Sequence, residues 1–356
     1  MRYPLSLTAA GLVSALAIGA ATGTSAQLRL LSDGPQVEFR DMVARVVVTP
    51  EDRSDVDIRV RYGKAKVPQL MVSHRGNVTV LNGHLSDNAH GMNFKLRIDL
   101  DEITSSGPRG SVFVSGLGQV DVNDLPLVFV RVPQNAVVKD TSYVFGQIGA
   151  SNSLDFISSG SGSWNIGPVA GQLNVIDSGS AGIHAGPVSG DAIVDNMGSG
   201  DINLDATRGL KISLSGSGNF TVQQAADVDL QNQGSGDVSL GRIRSLKAGL
   251  NGSGDLSVQS VGGNFTLTNN GSSDVNIDRL MGQVSLDMSG SGDVRIQQGQ
   301  AQTFMIRGSG SGDVDFGGTA GTVNVDSNGS GDVSIGKATG AVQTRVTGSG
   351  EMHIGH

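Results

Sequence analysis

Seven aspartates, Asp201, Asp237, Asp255, Asp274, Asp293, Asp313 and Asp332, recur at one or two multiples of 18–20 residues, with Glu351 in the next place. Each stands at the end of a Gly-Ser-Gly-Asp tetrapeptide or a close variant of it. Carboxylates repeated at one fixed spacing have two chemical uses. They can hold hard cations, so a ladder of calcium ions bridging successive aspartates is one expectation, with calcium as the only cofactor the residues suggest. They can instead accept backbone N–H groups in their own turns and stay hydrated, as Asx-type caps do. Stacked about 4.8 Å apart, neighbouring carboxylates repel by roughly 0.9 kcal/mol even at the dielectric of water, so either use has to offset that cost.

Other candidate chemistry is sparse. His74, His84 and His90 lie in a polar stretch with Asp87, but their spacings of ten and six fit no common zinc signature and read as an exposed polar loop. The many serines belong to glycine-rich corners, and no nucleophile elbow with a placed histidine and acid accompanies them. Gly-Ser-Gly is not followed by Gly-Lys-Ser/Thr, so it is no phosphate loop. Without cysteine, the chain has no disulfide framework, cysteine-zinc site or thiol nucleophile.

The elements that must position the aspartates are equally periodic. The glycine motif begins at Gly160, Gly179, Gly198, Gly216, Gly234, Gly252, Gly271, Gly290, Gly310, Gly329 and Gly348, eleven copies in all. Four and six places after the first glycine stand apolar residues, such as Leu256 and Val258, around a polar one such as Ser257. Six and four places before it stand another apolar pair, such as Phe265 and Leu267 ahead of Gly271. Apolar, polar, apolar is the period of a strand with one buried face. A unit this short cannot close a core alone, but stacking copies buries continuous columns and makes successive strands parallel. The expectation is an all-β chain, a right-handed parallel β-helix of about 18–20 residues per coil. Whether each coil has two strands or three stays open. A β-propeller is the runner-up, and would need two repeats per blade.

Composition agrees. Of 356 residues 53 are glycine, with no collagen period. Residues 1–26 carry Arg2, an apolar stretch from Leu5 to Ala20 and small residues at Thr24-Ser25-Ala26, the pattern of a secretory signal peptide. Residues 27–150 contain strand-like runs, Met42–Val48, Val56–Tyr62, Asn77–Leu81, Met92–Leu100, Val112–Val114 and Leu127–Val132, without the repeat register. They are expected to form an irregular β region that caps or starts the solenoid of residues 151–356. The net charge of −8 argues against nucleic acid or an anionic membrane as partner. That acidity belongs to residues 151–356, with 10 Lys and Arg against 19 Asp and Glu.

Repeated Ser-Gly-Asp-Val/Ile-x-Leu/Ile, as in Gly198-Ser199-Gly200-Asp201-Ile202-Asn203-Leu204, resembles the head GIN domain family of auto-transporter adhesins. The opening Val37-Glu38-Phe39, Ala44-Arg45-Val46-Val47-Val48 and Val56-Asp57-Ile58-Arg59-Val60 is similar to it too, so the resemblance spans about residues 36–356. It implies an exported β-helical protein proposed to work in adhesion and carries over no catalytic residue. The repeats run to His356 with no translocator barrel after them, from which self-export is not expected.

The functional expectation is an exported, non-enzymatic envelope or surface protein, in the periplasm, on the outer surface or in the medium. It would act as an adhesin or scaffold toward a protein or polysaccharide, with end-to-end self-association open to it. The alternatives are a carbohydrate-active β-helical enzyme, for which Asp313 and Asp315 with Arg295 form the nearest cluster, and a calcium-stabilised assembly module.

Overall fold

The computed structural model describes residues 35–86, 97–104, 107–114 and 118–355, with the backbone alone over 97–104 and 107–109. The signal-peptide pattern, Asp87 and His90 lie outside the described residues. The chain is an all-β solenoid of about 12 parallel coils. Among the described residues no helix is long and apolar enough to cross a membrane.

The repeat columns stack on their own copies. Val238, Leu256, Val275, Val294, Val314 and Val333 pair in successive coils, as do Leu246, Phe265, Val284, Phe304, Val323 and Val342. Except for Val342 in the last of these coils, every residue in both rows is buried at 5% exposure or less, within one continuous core. Each coil also turns through a third face. Val169, Val188, Ala225, Ile243, Val261, Leu280, Ala301, Ala320 and Ala338 point inward from it and are buried. Its strand is so short and so closely continuous with the first that Ile202–Leu214, Phe220–Asn232 and Val238–Leu250 each run as one bent strand.

Large side chains are matched to gaps along the columns. Trp164 is 1% exposed and lies over Gly146, where a Cβ would stand 2.1 Å from the indole. Phe156 packs on the same indole at 5.0 Å between ring centroids, and Phe304 stacks on Phe316 at 4.8 Å.

The N-terminal region begins the stack rather than standing apart from it. Its strands are β1 (Gln36–Glu51), β2 (Asp57–Arg61), β3 (Met71–Arg75), β4 (Val78–Asn82), β5 (Arg97–Thr104), β6 (Gly107–Val114), β7 (Gly118–Asp121), β8 (Leu127–Pro133) and β9 (Asn135–Ile148). β1 lies parallel to β9 on one side and to β4 and β8 on the other, so coil stacking reaches back to Gln36. β2 pairs antiparallel to β8, and β3 antiparallel to β4. Reversed strands cannot template a further parallel coil, which protects the edge. β5, β6 and β7 form a separate antiparallel sheet. Val112, Val114, Val122 and Leu125 close a small second core there with Val43 and Phe145.

The corner explains the glycines. A Cβ on Gly290 would stand 1.9 Å from the carbonyl oxygen of Gly271 in the coil before, and Gly252, Gly271 and Gly310 are placed alike. By contrast, a Cβ on Gly182 would meet nothing within 4 Å. Gly290→Ala is expected to destabilise the protein by about 1–3 kcal/mol, the scale of overpacking a closed site, while Gly182→Ala leaves the denaturation midpoint nearly unchanged. Equilibrium chemical denaturation of both variants checks the contrast.

Candidate functional site

At the glycine corner three outward positions line one edge of the solenoid: a Ser, Asn, Gln, Thr or Met, then a Ser, then the Asp. The aspartates come together as a ladder. The N–H of Asp255 donates to Oδ1 of Asp237, that of Asp274 to Asp255, Asp293 to Asp274 and Asp313 to Asp293, each at 2.9 Å. Asp332 and Glu351 continue it at 2.7 Å. Below Asp237 the ladder passes through Asn219, whose N–H donates to Asp201 and whose Oδ1 accepts from Asp237. Acceptance of an N–H within the same turn is therefore corrected: the donor is the equivalent residue of the next coil. The coil repeat puts that N–H directly above the carboxylate, so one oxygen is engaged and the other faces solvent. Among the described residues no group of three or more His, Cys, Asp or Glu side chains is arranged to hold a metal ion.

The caps inside the corner come from a position the repeat pattern did not single out, two residues before the first glycine. Asn196, Asn232 and Asn269 are fully buried there. Their Oδ1 atoms accept from the N–H groups of Gly198, Gly234 and Gly271 at 2.9, 3.0 and 3.2 Å. Their Nδ2 groups donate to the carbonyls of Gly200, Gly236 and Ser273 at 2.9, 2.9 and 2.7 Å. Coils between them place Leu214 and Leu250 in the same column, and the coil after Asn269 places Met288 there. The signal was present in the sequence as an Asn recurring every second coil, a period of two repeats rather than one.

The outer strand face carries the polar column Asn203, Thr221, Ser239, Ser257 and Asn276 in register. Next to it Gly241 leaves a notch of about 390 Å³ that Thr221, Gln223, Ser239, Arg242 and Gln259 line. Arg242 Nη2 donates to Gln224 Oε1 at 3.3 Å on its rim.

The remaining sequence candidates are dispersed. Arg295 and Asp315 pair at 3.7 Å on an exposed face, in the same column of successive coils, and Asp313 belongs to the neighbouring ladder. His74 Nδ1 lies 3.2 Å from Thr79 Oγ1, while His84 lies in a left-handed turn with φ of 50°, its N–H donating to Asn82 Oδ1 at 3.0 Å.

With this geometry in view, the chain falls into the class of β-solenoids built on a Ser-Gly-Asp corner. Residues 249–355 match the family model described as "Putative auto-transporter adhesin, head GIN domain", within the stretch that carries the resemblance. No curated protein matches the chain.

The ladder needs an acceptor at each aspartate and not its charge, as Asn219 illustrates. Asp255→Asn should therefore keep the stability of the parent, with a small gain at low salt from relieved repulsion. Asp255→Ala should lose about 1 kcal/mol, the net worth of one such hydrogen bond. Denaturant midpoints at low and high salt separate the two.

Proposed function

We propose that this is an exported, non-enzymatic surface or envelope protein whose solenoid presents a polar flank to a macromolecular ligand, as an adhesin or scaffold. The observation that carries the reading is the segregation along the coils. Aliphatic and aromatic columns turn inward, while Ser, Asn, Thr and Asp columns repeat in register along a continuous outer edge and face. Such a surface offers many equivalent hydrogen-bonding groups at one spacing, which suits multivalent contact with an extended partner. The match to an adhesin-like family model and the signal-peptide pattern support the same reading. The exposed Arg295–Asp315 pair and the small, open notch at Gly241 lack the clustered, enclosed carboxylates that glycoside chemistry uses.

The expected outcome is that a deletion strain attaches less well to its surface or partner cells. The parent gene should restore attachment, and a Ser239→Lys, Ser257→Lys double variant that still folds should not. Cell fractionation should find the parent protein outside the cytoplasm. Unchanged attachment on deletion, with no partner retained on the immobilised protein, removes the adhesion reading.

A further inference from the structure

We propose that the column Asp140, Ser158 and Asp177 is a proton-binding site: the folded chain carries a proton there at neutral pH, and the first coils tighten as the medium acidifies. The three residues stack in register in successive coils, with Asn196 above them and Phe39 below. They occupy the same corner position as the capping asparagines, and all three are at most 1% exposed.

The argument is one of donors. Asp140 has two: Oδ1 accepts from the Ser142 N–H at 2.9 Å, and Oδ2 from Trp164 Nε1 at 2.8 Å. Asp177 has one, the Gly179 N–H at 3.2 Å on Oδ1. Its Oδ2 is enclosed without a hydrogen-bond partner, and a Cβ on Gly198 would stand 2.7 Å from it. The Ser158 hydroxyl is likewise enclosed and outside hydrogen-bonding geometry, though close enough to favour the ionised form of Asp177 somewhat. In the three asparagine coils the group in this place is an amide N–H₂ that donates to the carbonyl four residues on. The counterpart carbonyl for Asp177 is that of Ala181. A carboxylate can only accept, and a buried acceptor without a donor costs its full desolvation. A protonated carboxyl donates, as the asparagines do.

Among the described residues no cationic group acts on either carboxyl. The groups that act on Asp140 are Trp164, Ser142 and the second carboxyl, Asp177, and those that act on Asp177 are Ser158 and Gly179. Burial pushes Asp140 up to about 7, with Asp177 adding to the rise. Burial raises Asp177 as well. A carboxyl whose folded value lies above its unfolded one stabilises the fold fully below the ordinary carboxylate range, near 4. That contribution fades as the pH rises through the folded value. Across this window the site opposes the usual loss of stability in acid.

Thermal unfolding of the full chain at pH 5.5 and pH 8 tests the proposal, with the parent compared to Asp177→Asn. The substitution supplies the missing donor and removes the titration. It should raise Tm at pH 8 by several degrees and change it little at pH 5.5. Equal shifts at both pH values, or a loss at both, would overturn the proposal. A second measurement stands if the variant fails to fold: refolding the parent in unbuffered solution at pH 7 should take up protons. Release of protons instead, or release of a metal ion on denaturation detected by elemental analysis, would show that the column is not neutralised by a proton.

Discussion

Every coil of this protein rests on a copy of itself, in register, at the spacing of one parallel strand pair. That constraint decides which side chains each position can hold, because a residue must be compatible with its own kind above and below. Aliphatic residues meet the condition without difficulty and merge into one core. Charged residues do not, and the flat outward positions show two answers. One alternates sign: Lys211, Asp229 and Lys247 follow one another up one column, and Asp287, Arg307, Asp326 and Arg345 up another. The other is the aspartate ladder, where like charges persist because each carboxylate holds the N–H of the next coil.

The glycine corner is the second consequence. Coils turn there so closely that the backbone of one lies against the glycine of the next, and a side chain has no room. Buried asparagines satisfy the polar groups of this crowded turn in every second coil over part of the solenoid. Leucine fills the same space between them. Alternation avoids stacking amide directly on amide while sealing the corner. Near the N-terminal end the column changes to Asp140, Ser158 and Asp177. There the chain buries carboxyls where elsewhere it buries amides.

Much of the fold was legible because one residue type per column is a strong signal repeated eleven times. The inward columns, the parallel stacking and the corner at Gly-Ser-Gly-Asp could all be read from spacing. Asn135–Ile148 escaped that reading, although it is the coil on which β1 and the regular repeats meet. Its corner has Ser142 and Val144 in place of the two glycines, and Gly146 stands where other coils carry a large apolar residue, as room for Trp164. The third face was ambiguous because it contributes one inward residue per coil, too few to make a pattern.

The sequence by itself determined the period, the inward and outward faces and the corner, since these are local properties of each repeat that copying reinforces. Only the tertiary structure decided where the hydrogen bonds go. An aspartate looks the same whether it caps its own turn or the next coil. The choice depends on which N–H the stacking brings above it, about nineteen residues along the chain. The same holds for Asp140 and Asp177, ordinary polar letters in the chain whose unusual chemistry comes from enclosure by neighbours distant in sequence.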